Sequence, residues 1–201
     1  MDGQSLRVAI ARADSIIDVA RSEVQDRRAP NERRVILSGA AWVLALEHHR
    51  AIATLMKVGL YGSVMAILRT QYEAYATAMW LMHVATVQQL DGFSQGRYKP
   101  GLSALDRQVR ERIGVANSQT TQEWVKELHD YAHAGAAAVA QQLGPMGIQP
   151  RYQEQGLVHR LDMASALAAA SILEIVGHAT NDEAIVGNIQ MCLAGIMKEA
   201  P

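Results

Sequence analysis

The chain has 201 residues, of which 49% are hydrophobic and 19% charged, a globular composition that excludes a disordered polypeptide. Its formal net charge of −1 lacks the basic excess of a dedicated nucleic-acid binder. The single cysteine, Cys192, excludes an intrachain disulfide and fits a reducing, cytoplasmic compartment.

Val, Ile and Thr alternation is nearly absent, while Ala, Leu, Met, Gln and Glu dominate, so the chain reads as all-α. A first helix is predicted over Gln4–Arg28, with Leu6, Ile10, Ala13, Ile17, Ala20 and Val24 as its apolar stripe. Pro30 breaks it, and Asn31 is the expected cap of a second helix over Glu32–Val58. Val35, Trp42, Leu46, Ile52 and Met56 form that helix's core face, and GLYG at 59–62 is the turn. The third predicted helix starts at Ser63 and ends near Leu90. A loop with Gly96, Pro100 and Gly101 leads to a short amphipathic helix over Ser103–Ile113. Further helices are expected at Thr121–Leu143, capped from the segment NSQTTQEW, at Gln153–Ala179, and at Glu183–Lys198, capped from NDE. Cys192 lies in the apolar run IQMCLAGIM and is expected to be a buried small hydrophobe. Long helices with short links predict one domain, an antiparallel bundle of about seven helices. The N-terminal apolar runs are interrupted by charges, unlike a signal peptide, and the uncharged stretch Met163–Leu173 is about half a membrane span. No membrane partner is expected.

The third helix stands out. Over residues 63–87 its apolar side chains point in every direction, which predicts a central position among the others. Arg69 and Glu73, its two formal charges, are four residues apart and share a face. Their order, Arg before Glu, is the weaker one for a helical pair, and a buried charge is costly unless paired. Two readings stay open: a buried polar network that fixes helix packing, or the lining of a ligand cavity. The network reading predicts a loss of about 3–5 kcal/mol on truncating either charge.

HDYAHAG, at 129–135, places His129 and His133 one turn apart. Such a pair can ligate one metal ion, but no third ligand follows at a recognisable spacing. Alternatively His133 faces inward toward Arg69 and Glu73, as a buried hydrogen-bonded histidine or as a general base oriented by Glu73. Tyr72, Tyr75 and Tyr131 are candidate hydroxyls for the same network. From Phe93 to Gly114 basic residues prevail, and from Tyr152 onward acidic ones do, which reads as solvated surface or as a means for two copies to associate.

The segments EHHRAIATLMKVGLYGSVMAILRTQYEAYATAMWL and LHDYAHAG together resemble a group of uncharacterised bacterial helical proteins. Their pattern is Arg-x-x-x-Glu on a hydrophobic helix followed by Tyr-x-His-x-Gly, matched here by Arg69, Glu73, Tyr131, His133 and Gly135. That group is distantly similar to HEPN-type bundles, many of which are ribonucleases of toxin–antitoxin and phage-defence systems and act as dimers. The resemblance implies a homodimer and a role in stress or defence. In HEPN ribonucleases an Arg and a His lie four to six residues apart on one helix, a spacing this chain lacks.

No phosphate loop, Gly-x-Ser-x-Gly elbow or Cys-x-x-Cys pair is present, and no cofactor is expected. The sequence supports a binding module using Arg69, Glu73, Tyr131 and His133 for a small molecule or partner. The alternatives are a HEPN-like ribonuclease with Arg69, Glu73 and His133 as catalytic residues, and a metal-binding bundle using His129 and His133.

Overall fold

The computed structural model describes residues 3–113, 119–133, 135–145, 147–148, 150–180 and 182–198. Among these the protein is all-α: α1 (Gln4–Val24), α2 (Arg33–Lys57), α3 (Tyr61–His83), α4 (Val87–Ser94), α5 (Leu102–Ile113), α6 (Gln119–Ala132), α7 (Ala136–Ala140), α8 (Glu154–Ala179) and α9 (Glu183–Lys198). A two-residue antiparallel ribbon, β1 (Leu143–Gly144) with β2 (Gly147–Ile148), turns the chain before α8.

Two of the seven expected helices are each divided, which gives nine. The third stops at His83 because Thr86 starts a new helix: its hydroxyl accepts from Gln89 N–H while the Gln89 side chain accepts from Thr86 N–H, a complete capping box. The Arg34 guanidinium holds the freed end of α3 by donating to the carbonyls of Leu81, Met82 and Ala85. The second division falls at HDYAHAG. Asn31 does not cap α2; the position is taken by Glu32, whose side chain makes no capping bond. Of the expected capping segments, Asn117, Ser118 and Asn181 lie outside the described residues and Thr120 and Thr121 lie within α6, whereas Asp182 of NDE does cap α9, accepting from Ala184 N–H at 2.9 Å and Ile185 N–H at 3.3 Å. Between α2 and α3, Gly59 adopts φ +74°, a left-handed conformation that lets Leu60 N–H reach back to Leu55 C=O at 3.0 Å.

Helices α1, α2 and α3 alternate in direction. The fourth long helix does not: Glu154 accepts from the N–H groups of Gly3 and Leu6, and Arg12 meets Asp162 at 2.6 Å, so α8 runs parallel to α1. Gln71 donates to the Ala164 carbonyl at 2.8 Å, midway along both helices. The C-terminal ends of α3 and α8 are thereby brought side by side.

As expected, α3 is central; it packs on α2, α5, α6 and α8. Trp42, Ile52, Leu68, Trp80, Leu105 and Leu161 are fully enclosed in the main core, and Ile16, Ala168 and Ile172 anchor a second cluster beneath α9. α8 is long and apolar enough to cross a membrane by length and composition, with a mean hydropathy of 1.3. Its apolar residues pack on α1, α2, α3 and α9, as those of a core helix do. Cys192 is exposed on α9, contrary to expectation, because α9 buries only its Ile189 and Leu193 side.

His49 is 1% exposed, with Nε2 3.2 Å from Ser165 Oγ. Burial lowers its pKa to about 4, against the opposing charge of Asp14. An unfolded histidine titrates near 6.5, so the neutral folded form contributes its full stability above that pH and loses it as the pH falls toward 4. Between pH 7 and pH 5 the wild type is expected to lose about 2 kcal/mol through this group. Urea unfolding at the two pH values should show a smaller loss in His49→Gln.

Candidate metal centre

The residues singled out in the sequence do not meet. Arg69 is half-buried and makes no hydrogen bond or ion pair among the described residues. Glu73 is half-buried too and is taken by Lys99, whose Nζ lies 2.8 Å from Oε1. His133 does not face inward: it is exposed at the end of α6, with its ring 4.4 Å from that of His129, which is also exposed. The expected buried Arg69–Glu73–His133 cluster is therefore absent. The reason is a solvent seam along α3, marked by exposed Ser63 and Thr70, onto which both charged side chains can extend. Tyr131 is buried, beside a polar cavity on a different side of the bundle. Tyr72 bonds Asp106, which Arg110 also holds at 2.9 Å, so this hydroxyl pins α5 to α3. The tyrosine's pKa is raised, chiefly by burial.

HDYAHAG acts locally as a helix stop. Gly135 N–H donates to Asp130 C=O at 2.7 Å, and the Asp130 carboxylate lies 1.7 Å from where a Cβ on residue 135 would sit. Gly135→Ala must displace that carboxylate and is expected to cost about 1–2 kcal/mol in chemical denaturation.

A group that the sequence reading passed over does converge. His83 ends α3, while Glu174 and His178 lie one turn apart near the end of α8. One ligand atom from each lies within 4.8 Å of the other two. Glu174 Oε2 is 3.6 Å from His83 Nε2 and 3.4 Å from His178 Nε2. Donors held tetrahedrally at about 2.1 Å from one ion are about 3.4 Å apart, so both distances already match a coordinated ion. His83 Nε2 is enclosed and has no hydrogen-bond partner among the described residues. Each residue is about one-third exposed, which leaves a solvent-facing side.

The surroundings suit a cation. The C-terminal end of α8 directs its carbonyls to this point, and that end of a helix dipole favours positive charge, whereas the end of α3 already carries the guanidinium groups of Arg34 and Arg112 on its carbonyls. His178 is stacked on the buried Trp42 ring at 5.8 Å and an interplanar angle of 10°, which fixes the imidazole plane. Arg112 Nε donates to the His83 carbonyl at 3.2 Å. Burial, with the Glu174 charge adding to it, raises the Tyr75 pKa to about 12, so its hydroxyl stays protonated beside the centre. The available sequence signal was the Glu-x-x-x-His spacing of Glu174 and His178 on one helical face. His83 has no sequence neighbour that marks it.

A family model matches residues 42–199, under the description "Family of unknown function (DUF6988)". The chain belongs to this family. Trp42, His83, Glu174 and His178 all lie inside the DUF6988 region, whereas α1 precedes it. No curated protein and no solved structure matches the chain.

Proposed function

We propose that this DUF6988 protein is a divalent-metal-binding helical bundle, with His83, Glu174 and His178 as its ligands. The observation that carries the reading is the enclosed Nε2 of His83, which makes no hydrogen bond among the described residues and faces a carboxylate oxygen shared with a second histidine at coordination-like spacing. Two imidazoles and one carboxylate suit Zn²⁺ or Fe²⁺ better than Mg²⁺ or Ca²⁺, which prefer all-oxygen shells. The solvent-facing side supplies room for a fourth ligand, either water or a donor atom of a small molecule.

Calorimetric titration of chelator-stripped protein with Zn²⁺ tests this. One equivalent should bind with a Kd in the micromolar range or tighter, Mg²⁺ should give no matching isotherm, and the His129→Ala/His133→Ala double variant should titrate like wild type. Absence of saturable Zn²⁺ binding, or its loss only in that double variant, would refute the assignment.

A further inference from the structure

At the opposite end of α8 from the metal centre lies a cavity of about 250 Å³, lined by Met65, Tyr131, Gln141, Arg151, Tyr152 and Arg160 among others. Its wall is mainly polar, unlike the α1–α2 groove, where Ile17, Val24, Val43 and Leu46 dominate the lining. Two arginines contribute to it. Arg160 spends one nitrogen on the Gly156 carbonyl at 3.0 Å and the other on Glu127 at 2.6 Å. The Arg151 guanidinium has no partner among the described residues, although its backbone N–H is tied to Gln141 C=O at 2.7 Å. That bond closes the loop carrying the β-ribbon and holds Arg151 at the cavity.

The hydroxyls point the same way. Tyr152 OH accepts from Gln142 Nε2 at 2.8 Å, and its own proton has no acceptor among the described residues. Tyr131 is buried and its hydroxyl is hydrogen-bonded to the Gln141 side chain; burial raises its pKa, so the hydroxyl keeps its proton. The one carboxylate at the start of α8, Glu154, is turned away onto the N–H groups of Gly3 and Leu6, and Glu127 is taken by Arg160. The unspent Tyr152 proton and one uncompensated positive charge therefore face a polar cavity with no carboxylate among its lining residues.

We infer that this cavity is a binding site for a small anion, a carboxylate or phosphate group on a compact organic body. Arg151 supplies the charge-assisted contact and Tyr152 a hydroxyl donor, while Met65 and the ring of Tyr131 meet the apolar part. The volume is below the roughly 300–1,000 Å³ of sites for drug-sized ligands, which limits the occupant to a small metabolite. The site is separate from the metal centre and does not depend on it.

The test uses the full chain with metal removed, so that anion binding at the metal centre cannot contribute. Benzoate, phenylphosphate and inorganic phosphate are titrated by calorimetry at constant ionic strength. One saturable site is expected for benzoate or for phenylphosphate, and the tighter of the two identifies the anionic group. Arg151→Met should weaken it at least tenfold and Tyr152→Phe about fivefold, corresponding to about 1.4 and 1 kcal/mol. Arg151 is exposed, so Arg151→Met should unfold at the wild-type temperature and a lost site is then not lost folding. Absence of saturable binding by all three probes up to 10 mM (about the weakest useful affinity) overturns the inference. So does affinity unchanged in both variants.

Discussion

Trp42→Ala is expected to lower the unfolding free energy by about 3–5 kcal/mol, whereas Trp42→Phe should stay within about 1 kcal/mol of wild type. Trp42 is fully enclosed in the main core, so alanine removes an entire indole from a packed site and leaves a cavity. Phenylalanine gives up part of the same contact, but it also removes an indole N–H that is buried without an acceptor among the described residues. An unpaired buried donor is itself destabilising, so the two changes offset one another. Urea denaturation of the three proteins reads the difference directly. The ring also carries a second consequence, because His178 is stacked on it. Loss of the stack in Trp42→Ala should lower Zn²⁺ affinity about tenfold, the effect of disturbing a group that orients a ligand. Trp42→Phe, which keeps an aromatic face, should preserve it. A loss in Trp42→Phe well above about 1 kcal/mol would mean that removing the unpaired indole N–H brings no compensating gain.

Much of the fold is legible in residues 63–87, where uniformly apolar positions require a helix surrounded by others, and α3 is placed so. The expected first-helix stripe packs on the core, with Leu6, Ile10, Ala13, Ile17, Ala20 and Val24 all against it, but the buried face is wider: Ala9 and Ile16 are enclosed as deeply as Ala13, since α8 and α9 cover a wider arc than one neighbour would. The break after His83 was carried by Thr86 and Gln89, a capping-box pair hidden in what reads as continuous helix. The site was less legible. Arg69 and Glu73 stand out in the sequence because they are charges among apolar residues, yet they occupy a seam of α3 that reaches solvent. Arg69→Ala is accordingly expected to change stability by no more than about 0.5 kcal/mol, in place of the large loss that burial would have imposed. His83 and the Glu174–His178 pair belong to helices separated by most of the chain. Only the parallel α3–α8 arrangement joins them, and that depends on the intervening segment returning the chain to the N-terminal end of α3.

Glu174→Gln should abolish metal-linked stabilisation while leaving the metal-free fold close to wild type. In wild type, Zn²⁺ at a hundred times its Kd adds about 2.7 kcal/mol, provided the unfolded chain does not bind it. For a chain of this size that is a rise of about 5–10 °C in Tm, reversed by chelator. Glutamine keeps the volume of Glu174 but removes the anionic oxygen that lies 3.4–3.6 Å from both imidazoles. With one of three ligands lost, and with it the only negative charge in the group, affinity should fall by more than about 100-fold, beyond the range seen when only a supporting residue is removed. The alternative role for Glu174 is as an ion-pair partner for two partly exposed histidines. Pairs that are about one-third exposed contribute little, about 0–1 kcal/mol. On that account Tm is insensitive to Zn²⁺ and to chelator in both proteins, and Glu174→Gln shifts it only slightly. The two accounts thus diverge in the metal dependence of wild type, before any variant is made, and the variant then shows whether the response passes through this carboxylate.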